Sequence, residues 1–530
     1  MKELIKEISK KTKLSEKEVS DIIGIPPEGL GDYAFPCFIL SKKLKKNPSE
    51  IAKELAEKLN LRNFEVKPVN AYVNFFVNKN KLAEKILKTK KKSAKKGKIL
   101  VEHTSINPNA SPHMGRIRNS LIGDSIVRLL KYQGYNTETH YYVNDVSKQI
   151  AMLALVCKGN EKFEDLLKKY KEISKKIEKN KKLENQVFDL LSKFESGNSE
   201  TRKKFNKIVD IAIKGQKNLL SQLGIKFDFF DYESDFLKDQ EKIIKQLEKK
   251  GLKRDKYNRT YLEQPNLKKM MKDPVFVLTR SDGTGLYPLR DIAYTIKKMK
   301  KGKNIIVLGE DQKLYFKQLK QALKSLNKEA PIPIHYSFVL IQDKGIIKKM
   351  ATRKGDFVLL EDFLKEAIKK ASEKSKDKKI AEKVALSAIK YSILKKDPNK
   401  NIIFNLDESL SFEGNTGPYL LYSYARASSL LKKAKSKTKP KIEKITEIEF
   451  KLLKKIDEFP KIIEKAEQQL NPALVAHYSY QLSQIFNEFY HSEKIIGNKR
   501  QAFKLAIVKK FRETLKDSLS LLGISVLEKM

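Results

Sequence analysis

A chain of 530 residues is too long for one compact core and predicts several domains, about three or four. Hydrophobic residues make up 40% and charged residues 33%, which is typical of folded proteins and excludes a disordered chain. Lysine and arginine number 110 against 65 acidic residues, and the formal net charge of +45 favours a polyanionic partner, nucleic acid first. Lysine, isoleucine and asparagine are abundant throughout, as expected from an AT-rich genome, so charge alone leaves a purely compositional explanation open.

The sequence carries no signal for a membrane or a secreted location. Its longest apolar runs, at 304–309 and 334–341, are far shorter than the roughly 20 residues of a membrane helix. The charged amphipathic start lacks the apolar core of a secretory signal. Cys37 and Cys157 stand alone, which excludes a disulfide framework and a cysteine-based zinc site. We expect a cytoplasmic protein without membrane association and without a protein-bound metal.

The first segment, residues 1–88, is predicted to be a small α/β domain. Leu4, Ile5 and Ile8 show helical spacing, and residues 71–77 form a strand-like run. The basic run TKKKSAKKGK follows at 89–98. A charge run of this kind is more often a solvated linker than a specific nucleic-acid site, so it is interpreted as a domain boundary.

Residues 98–360 alternate strand-like and helix-like segments. A buried strand at 99–102 precedes a polar turn and a long helix with apolar residues from Ile117 to Leu130. Further strands are predicted at 141–143, 275–279, 305–308 and 337–341. The alternation predicts a parallel sheet of Rossmann type. Within this domain, lysine and glutamate at helical spacing predict a helical insertion over about 150–260.

After residue 360 the pattern is helical to the end. We assign 361–404 to a connecting helical region and 405–530 to an all-helical domain, interrupted by GNTGP at 414–418 and by a linker-like stretch at 432–444. The predicted fold class is α/β. It combines a Rossmann-type domain carrying a helical insertion with a small N-terminal α/β domain and a C-terminal helical bundle.

The strongest local signal for chemistry lies where the first sheet strand ends and the long helix begins. Ligands bind at this position in open α/β sheets, and the free N–H groups of a helix start favour phosphate. Pro112 stiffens the approach, and Gly115 lets a ligand come close to the backbone. His113 and Arg116 can then bind the phosphate. A histidine near a helix start is also often only a cap or a packed side chain.

A second segment, KKMATRKG at 348–355, directly follows the last predicted strand and a turn at Gly345. A mobile basic loop suits a negative charge that develops only transiently. Taken alone, an exposed lysine-rich hairpin is the simpler explanation in so basic a protein. Together and in this order, the two segments resemble the HIGH and KMSKS signatures of class I aminoacyl-tRNA synthetases.

Further motifs narrow the resemblance to the arginyl-tRNA synthetase family over nearly the full length. These motifs are LTRSDGTGLYPLRDIAY at 278–294, GEDQKLYFKQ at 309–318, KMATRKG at 349–355, GPYLLYSYAR at 417–426, PALVAHYSY at 472–480 and FNEFY at 486–490. The HIGH-like motif comprises Asn107, Pro108, Asn109, Ala110, Ser111, Pro112, His113, Met114, Gly115 and Arg116. The resemblance implies that the N-terminal domain binds tRNA and that the C-terminal helical domain binds the anticodon.

The resemblance also implies two sets of site residues. The residues expected to act on ATP are His113, Gly115, Arg116, Lys349, Met350 and Arg353. The residues expected to bind arginine are Glu102, Asn107, Tyr287, Asp291 and Gln312. Glu102 and Asp291 are carboxylates suited to a guanidinium, with Tyr287 one helical turn before Asp291. Asn107 and Gln312 offer amides to the amino-acid backbone. Taken alone, each carboxylate is better explained by a structural ion pair in so lysine-rich a protein, whereas their shared placement at the carboxyl ends of the sheet favours a site.

Two positions depart from the family pattern. Arg116 stands where the HIGH motif has its second histidine, and Thr352 stands where KMSKS has a lysine. Arg353 and Lys354 are both close enough to replace that lysine electrostatically, and the sequence leaves open which one does so.

The implied reaction joins L-arginine to tRNA(Arg) at the expense of ATP, with Mg²⁺, in a protein that we expect to be a monomer. Two alternatives remain at this point. A synthetase for another amino acid would keep the nucleotide motifs but should lack the acidic pair Glu102 and Asp291. A non-catalytic RNA-binding paralogue should lose His113, Gly115 or the basic loop, and all of these are present.

Overall fold

The computed structural model describes residues 2–27, 29–89, 94–343, 346–349, 359–434 and 440–530. Two units emerge from it. The first unit comprises Met1–Lys91, Leu430–Glu458 and Ile485–Phe511, and the second comprises Lys92–Ser429, Phe459–Gln484 and Arg512–Met530. Among the described helices, none combines the length and the apolar character that crossing a membrane requires.

The strands, in chain order, are β1 Tyr33–Pro36, β2 Phe64–Val69, β3 Tyr72–Val77, β4 Lys96–Glu102, β5 Tyr135–Val143, β6 Phe229–Tyr232, β7 Leu252–Arg254, β8 Thr260–Glu263, β9 Val275–Val277, β10 Lys303–Gly309, β11 Ile332–Tyr336, β12 Val339–Asp343, β13 Ile346–Lys349 and β14 Ile402–Phe404.

The helices up to the last sheet are α1 Lys2–Thr12, α2 Glu16–Ile22, α3 Phe38–Leu44, α4 Pro48–Lys58, α5 Lys79–Lys88, α6 Met114–Tyr132, α7 Lys148–Val156, α8 Phe163–Glu178, α9 Lys181–Glu195, α10 Ser199–Gln222, α11 Gln240–Glu248, α12 Tyr287–Met299 and α13 Lys313–Ser325. Those that follow are α14 Leu360–Lys374, α15 Lys378–Leu394, α16 Leu406–Ser409, α17 Gly417–Lys433, α18 Glu447–Gln468, α19 Ala473–Ser492 and α20 Gln501–Leu521.

The first unit contains the small α/β domain that the sequence predicts. Its sheet has the order β1-β3-β2 with both pairings antiparallel. Leu4 and Ile8 of α1 are fully buried and pack in one core with Phe35 and Phe75 of the sheet. The apolar residues spaced at i and i+4 on α1 therefore face this sheet, as a helical period requires.

The second unit is built on a five-stranded sheet of order β11-β10-β4-β5-β6, in which every pairing is parallel. Ile99, Leu100 and Val101 of β4 are buried in succession, as expected for a central parallel strand that is covered on both faces. The parallel sheet with its crossover helices confirms the predicted Rossmann-type fold. Its carboxyl edge is formed by the ends of the five strands, near Glu102, Val143, Tyr232, Gly309 and Tyr336.

Several strands differ from the sequence-based expectations. Residues 150–260 are not wholly helical, because β6 lies among them and completes the parallel sheet. The strand expected at 275–279 belongs to a separate antiparallel sheet of order β7-β8-β9, and β12 belongs to a third sheet of order β13-β12-β14. A four-residue strand such as β6 is too short to show a period in a sequence dominated by long helices.

The linker predicted at 432–444 lies partly outside the described residues, which omit 435–439. The interdomain run at 89–98 also differs in part from its prediction, because Lys96–Lys98 already belong to β4 and pair with β5.

Candidate active site

The loop that leaves β4 is tied to α6 by hydrogen bonds. Asn119 Oδ1 accepts from the backbone N–H of Thr104 at 2.7 Å, and the amide of Asn119 donates to the Val307 carbonyl of β10 at 2.8 Å. Thr104 and Ser105 adopt φ angles of 80° and 40°. A β-branched residue rarely takes a positive φ, and such strain persists only where surrounding contacts impose it. The chain therefore turns sharply at the carboxyl edge of the sheet.

The next residues, which lead into the HIGH-like motif, are held by β5 and by helix α10. The N–H of Ile106 donates to the Tyr141 hydroxyl at 3.1 Å, and that hydroxyl donates to Gln216 Oε1 at 2.7 Å. Gln216 of α10 in turn donates to the carbonyls of Asn107 at 3.0 Å and Ala110 at 2.9 Å. The backbone of the motif is thus fixed by buried polar groups from β5 and α10.

His113, Gly115 and Arg116 come together at the start of α6. His113 is the N-cap residue, and its carbonyl accepts from the Arg116 N–H at 2.9 Å. A Cβ at position 115 would lie 3.1 Å from Cε1 and Nδ1 of His113. Glycine therefore lets the imidazole lie against the first turn of the helix.

The electrostatic state of His113 differs from the cationic role that the sequence suggests. Burial, with the positive charge of Arg116 beside it, lowers the pKa of His113 to about 4. The imidazole is neutral at pH 7 because that pKa lies far below the solution pH. Arg116 is then the fixed cation at this helix start, and His113 offers a neutral N–H.

The KMSKS-like segment begins at the β12–β13 hairpin. The strands pair antiparallel, with Leu340 opposite Lys349. The backbone of Lys349 is described, whereas Met350 and Arg353 lie outside the described residues, as do Thr352 and Lys354. Where the description resumes, Leu359 pairs with His113 in an isolated antiparallel bridge.

The arginine-site carboxylate Glu102 has an internal partner. At the end of β4 its side chain forms a buried ion pair with Lys298 of α12, whose ammonium also lies 4.4 Å from the ring centroid of Tyr294. Both members of the pair are less than 10% exposed. Glu102 and Asp291 therefore differ in the structure, because Glu102 already has a cationic partner in Lys298. Their assignment to an arginine site stays a prediction.

Asp291 receives hydrogen bonds from hydroxyl groups. Tyr315 of α13 donates to its Oδ2 at 2.7 Å, and Thr295 donates to Oδ1 over a longer 3.4 Å. Burial raises the pKa of Asp291 to about 6; the Tyr315 bond lowers it, and the negative charge of Glu102 raises it further. A carboxylate in this state gains from a cation that approaches it.

A third carboxylate, Glu233, lies within the electrostatic influence of Asp291 and was not predicted. It is 1% exposed, lies just after β6 and accepts from Arg290 Nε at 2.6 Å. Burial raises the pKa of Glu233 to about 7, against the opposing effect of Arg290. The negative charge of Asp291 contributes to raising the pKa of Glu233, and the charges of both carboxylates contribute to raising the pKa of Tyr142, so the three groups are electrostatically coupled.

The structure places Tyr287 beside Tyr315 and Gln312 near the carboxyl end of β10. Tyr287 begins α12, and its ring lies 4.9 Å from that of Tyr315. The charge of Asp291 also contributes to raising the pKa of Tyr287, after burial, to about 12. Gln312 ends a short 3₁₀ helix directly after β10, and its amide donates to Asp311 over 3.4 Å.

Sequence reasoning missed Lys298, Glu233 and Tyr315. A signal for Lys298 was present, because it lies seven residues after Asp291 and shares its helix face. Glu233 was hidden because β6 was not recognised as a strand of the sheet. Tyr315 lies within the GEDQKLYFKQ motif, but only the packing of α13 shows that its hydroxyl meets Asp291.

We define the acidic cluster as Glu102, Glu233 and Asp291. Lys298 pairs with Glu102, and Arg290 pairs with Glu233 and, at 3.7 Å, with Glu195 outside the cluster, so Asp291 is the member that no ion pair neutralises among the described residues. The arrangement can bind a monocation beside Asp291, next to the rings of Tyr315 and Tyr287. Across the ranges 2–27, 29–89, 94–343, 346–349, 359–434 and 440–530, no group of three or more histidine, cysteine or acidic side chains is arranged to hold a metal.

Three family models match consecutive parts of the chain. Residues 1–77 match the arginyl-tRNA synthetase N-terminal domain, residues 78–406 match the catalytic domain of class I tRNA synthetases (R), and residues 420–530 match the DALR anticodon-binding domain.

Curated relatives and solved structures agree with these matches. The chain is 35% identical to the arginine–tRNA ligase of Methanocaldococcus jannaschii, with 94% of this chain and 93% of the relative covered. It is 33% identical to that of Clostridium perfringens over the full length of both. The structure superposes on the arginyl-tRNA synthetase of Thermus thermophilus with a TM-score of 0.81 and 28% identity, covering 95% of each chain.

Removing Lys298 should destabilise the second unit, because Glu102 would stay buried without its partner. We expect Lys298→Met to lower the free energy of unfolding by about 3–5 kcal/mol, and the double variant Lys298→Met/Glu102→Gln to recover most of that loss. The neighbouring Lys297 is exposed and lies over Phe236. Lys297→Met, the matched control, should cost less than about 1 kcal/mol. Urea denaturation followed by circular dichroism measures all three. Equal losses for the two single variants would contradict the buried ion pair.

Proposed function

The chain belongs to the arginyl-tRNA synthetase family, and on that premise we propose how its own residues carry out the two steps of arginine–tRNA ligation. The family reaction forms arginyl-adenylate from arginine and ATP and then transfers the arginyl group to the 3′ end of tRNA. The observation that carries the assignment of residues is the acidic cluster at the carboxyl edge of the sheet, in which Asp291 is the carboxylate that forms no ion pair within the part of the chain that the structure describes.

Asp291 is the principal ligand of the substrate guanidinium in this proposal. Glu102 is held by Lys298 and Glu233 by Arg290, whereas the hydrogen bonds given to Asp291 come from hydroxyls. A planar guanidinium can bond both oxygens of a carboxylate, and the pocket excludes much of the water that would weaken the bond. Glu233 lies close enough to add its charge from the second side. Tyr287 and Tyr315 provide ring faces that suit the same flat cation.

Asn107 and Gln312 are proposed to hold the amino-acid backbone of arginine. Each follows a central strand of the sheet: Asn107 lies in the loop after β4 and Gln312 directly after β10. Their neutral amides offer an oxygen to the α-ammonium and N–H groups to the carboxylate. Because Gln216 fixes the Asn107 backbone, this end of the substrate is held by a pre-organised loop.

The nucleotide is proposed to lie at the start of α6. Mg²⁺ enters with ATP as part of the substrate. An oxygen of the arginine carboxylate attacks the α-phosphorus, and the bond to the departing pyrophosphate breaks. Arg116 and the Lys349 segment stabilise the developing phosphate charge, and neutral His113 donates a hydrogen bond to a phosphate oxygen. Arg353 is proposed to add a further positive charge near the phosphates. Met350 lies between Lys349 and Arg353 in the sequence of this segment.

The second step needs tRNA(Arg) to bind along the protein. A terminal ribose hydroxyl, which the class resemblance assigns as the 2′-hydroxyl, attacks the arginyl carbonyl carbon, and AMP leaves. The net charge of +45 suits this polyanion. Exposed aromatic side chains support base contacts in both units: Phe38 lies edge-on to Tyr72 in the first, and Tyr422 lies under Arg426 in the second. The expectations of a cytoplasmic location and a monomer stay predictions.

The Asp291 assignment is tested by charging tRNA with arginine. Asp291→Asn should lower kcat/KM for arginine by at least about 30-fold, the lower end of a cost of about 2–5 kcal/mol for truncating one partner of a buried charge pair. The KM for ATP should change little, and the preference for arginine over citrulline, its neutral isostere, should fall. Asp255→Asn, in the turn between β7 and β8, is the control. An unchanged preference in a folded Asp291→Asn enzyme would show that another group reads the guanidinium.

Arginine use should also depend on pH through Asp291. With its pKa raised to about 6, Asp291 is ionised above that pH and protonated below it, so kcat/KM for arginine should fall as pH drops through about 6. Asp291 also feels the charges of Glu102 and Lys298, and the pKa of the neighbouring Glu233 is raised by burial to about 7. Tyr315→Phe distinguishes them, because Tyr315 donates to Asp291 and stabilises its ionised form.

We therefore expect the midpoint of the Tyr315→Phe profile to move to higher pH. Tyr257→Phe, which removes the hydroxyl of an exposed tyrosine, should leave the midpoint where it is. A midpoint that stays fixed in Tyr315→Phe would assign the titration to a group other than Asp291.

Arg116 should act through its fixed charge. Asp124, the nearest candidate for a structural partner on α6, already accepts from Arg128 at 2.7 Å. We expect Arg116→Lys to keep much of the adenylation rate and Arg116→Gln to lose most of it. Arg116→His should regain activity mainly as pH falls, because an unperturbed histidine has a pKa of about 6.5. Single-turnover adenylate formation measures each rate, and equal rates in the Lys and Gln variants would exclude a phosphate ligand.

A further inference from the structure

Arg118 is a fully buried arginine whose hydrogen bonds all go to backbone carbonyls. It is 0% exposed and ranks first among the largest fully buried side chains of the described residues. Its guanidinium donates to the carbonyls of Ser337 at 2.7 Å, Lys400 at 2.7 Å and Asp397 at 2.8 Å. Burial lowers the pKa of Arg118 to about 10, so it remains charged at pH 7. Burying a charge costs free energy, which the three charge-assisted hydrogen bonds offset. These bonds also fix the positions of the three carbonyls relative to α6.

The three carbonyls belong to the chain segments that enter the third sheet. Ser337 lies two residues before β12, and Asp397 and Lys400 lie in the loop before β14. These segments also bond each other: the Ser337 N–H donates to the Pro398 carbonyl, and its hydroxyl donates to the Asn399 carbonyl, both at 2.9 Å. Arg118 thus closes a small hydrogen-bonded junction from which β12 and β14 run parallel.

On its other side, the same turn of α6 carries the nucleotide-binding residues proposed above. Arg118 lies two residues after Arg116 and five after His113. The chain beyond the hairpin also returns to this point, because the Leu360 N–H donates to the Pro112 carbonyl at 2.9 Å. The start of α6 therefore holds one segment that precedes the β12–β13 hairpin and one that follows it.

We propose that Arg118 is a positioning residue for ATP, which fixes the β12–β13 hairpin relative to His113 and Arg116 during adenylate formation. The proposal rests on the roles proposed for Arg116 and Lys349. Its physical basis is that the planar fork of arginine can reach carbonyls from two different segments at once, which a lysine ammonium cannot match. A small displacement between groups that bind the same triphosphate strongly lowers the rate of the reaction.

The test compares Arg118→Lys with Arg128→Lys, a matched control on the same helix. Arg128 bonds Asp124 and the Gly224 carbonyl and has no bond to the junction. We expect Arg118→Lys to lower kcat/KM for ATP by about 10- to 100-fold, as for a misplaced catalytic group, with KM for arginine little changed. Arg128→Lys should leave both parameters near wild type. A rise in KM for arginine as large as the loss in kcat/KM for ATP, or wild-type kinetics in Arg118→Lys, would overturn the proposal.

Two further variants complete the test. Ser337→Ala is milder than Arg118→Lys and is less apt to disturb folding, and Lys349→Ala separates the role of Arg118 from that of the hairpin. Ser337→Ala removes the hydroxyl bond to the Asn399 carbonyl and should lower kcat/KM for ATP by less than Arg118→Lys does. Unchanged kcat/KM for ATP in both variants, each shown to be folded, would also overturn the proposal. Lys349→Ala tests the premise. If Lys349→Ala impairs ATP use and Arg118→Lys does not, only the positioning role fails. If neither impairs ATP use, the proposed role of the hairpin fails as well.

Discussion

Three electrostatically coupled carboxylates, two of them buried, impose the main physical constraint on this catalytic unit. Glu102, Glu233 and Asp291 would repel each other strongly in a medium from which water is largely excluded. Lys298 and Arg290 neutralise two of them through buried ion pairs. The third charge is tolerated through hydroxyl bonds and a raised pKa. In the proposed arginine site, the guanidinium of the substrate would complete this balance, and relief of the repulsion would contribute to the affinity for arginine.

The parallel sheet explains why these groups meet. Glu102 ends β4, and Glu233 follows the end of β6, and parallel strands bring their carboxyl ends to one edge. Asp291 and Lys298 then reach that edge from one face of α12, seven residues apart. No single element supplies a complete pocket. A change in strand register would separate the carboxylates from their cations, which ties the stability of the sheet to the specificity of the site.

Motifs with fixed spacing could be predicted from sequence, whereas side-chain pairings made by packing could not. The β4–α6 turn, the two nucleotide segments and Asp291 followed from local patterns and from the family resemblance. The Lys298–Glu102 pair joins residues 196 apart in sequence, and no local pattern reports it. The neutral state of His113 follows from burial, which a helix-start motif does not encode. Short strands such as β6 and β14 were missed because three or four residues show no period.

Helix α6 links the two halves of the site because nearly every face of it is occupied. Its first turn carries His113 and Arg116, Asn119 holds the loop after β4, and Arg118 holds the segments before β12 and β14. At Gly123 the helix packs directly on the His103 ring, where any Cβ would overlap the imidazole. A surface helix could shift with its loops, but a helix buried on all sides moves only by breaking several polar contacts at once. The same burial that removes the amphipathic pattern from its sequence therefore holds the first turn of α6 in a fixed position relative to the carboxyl edge of the sheet.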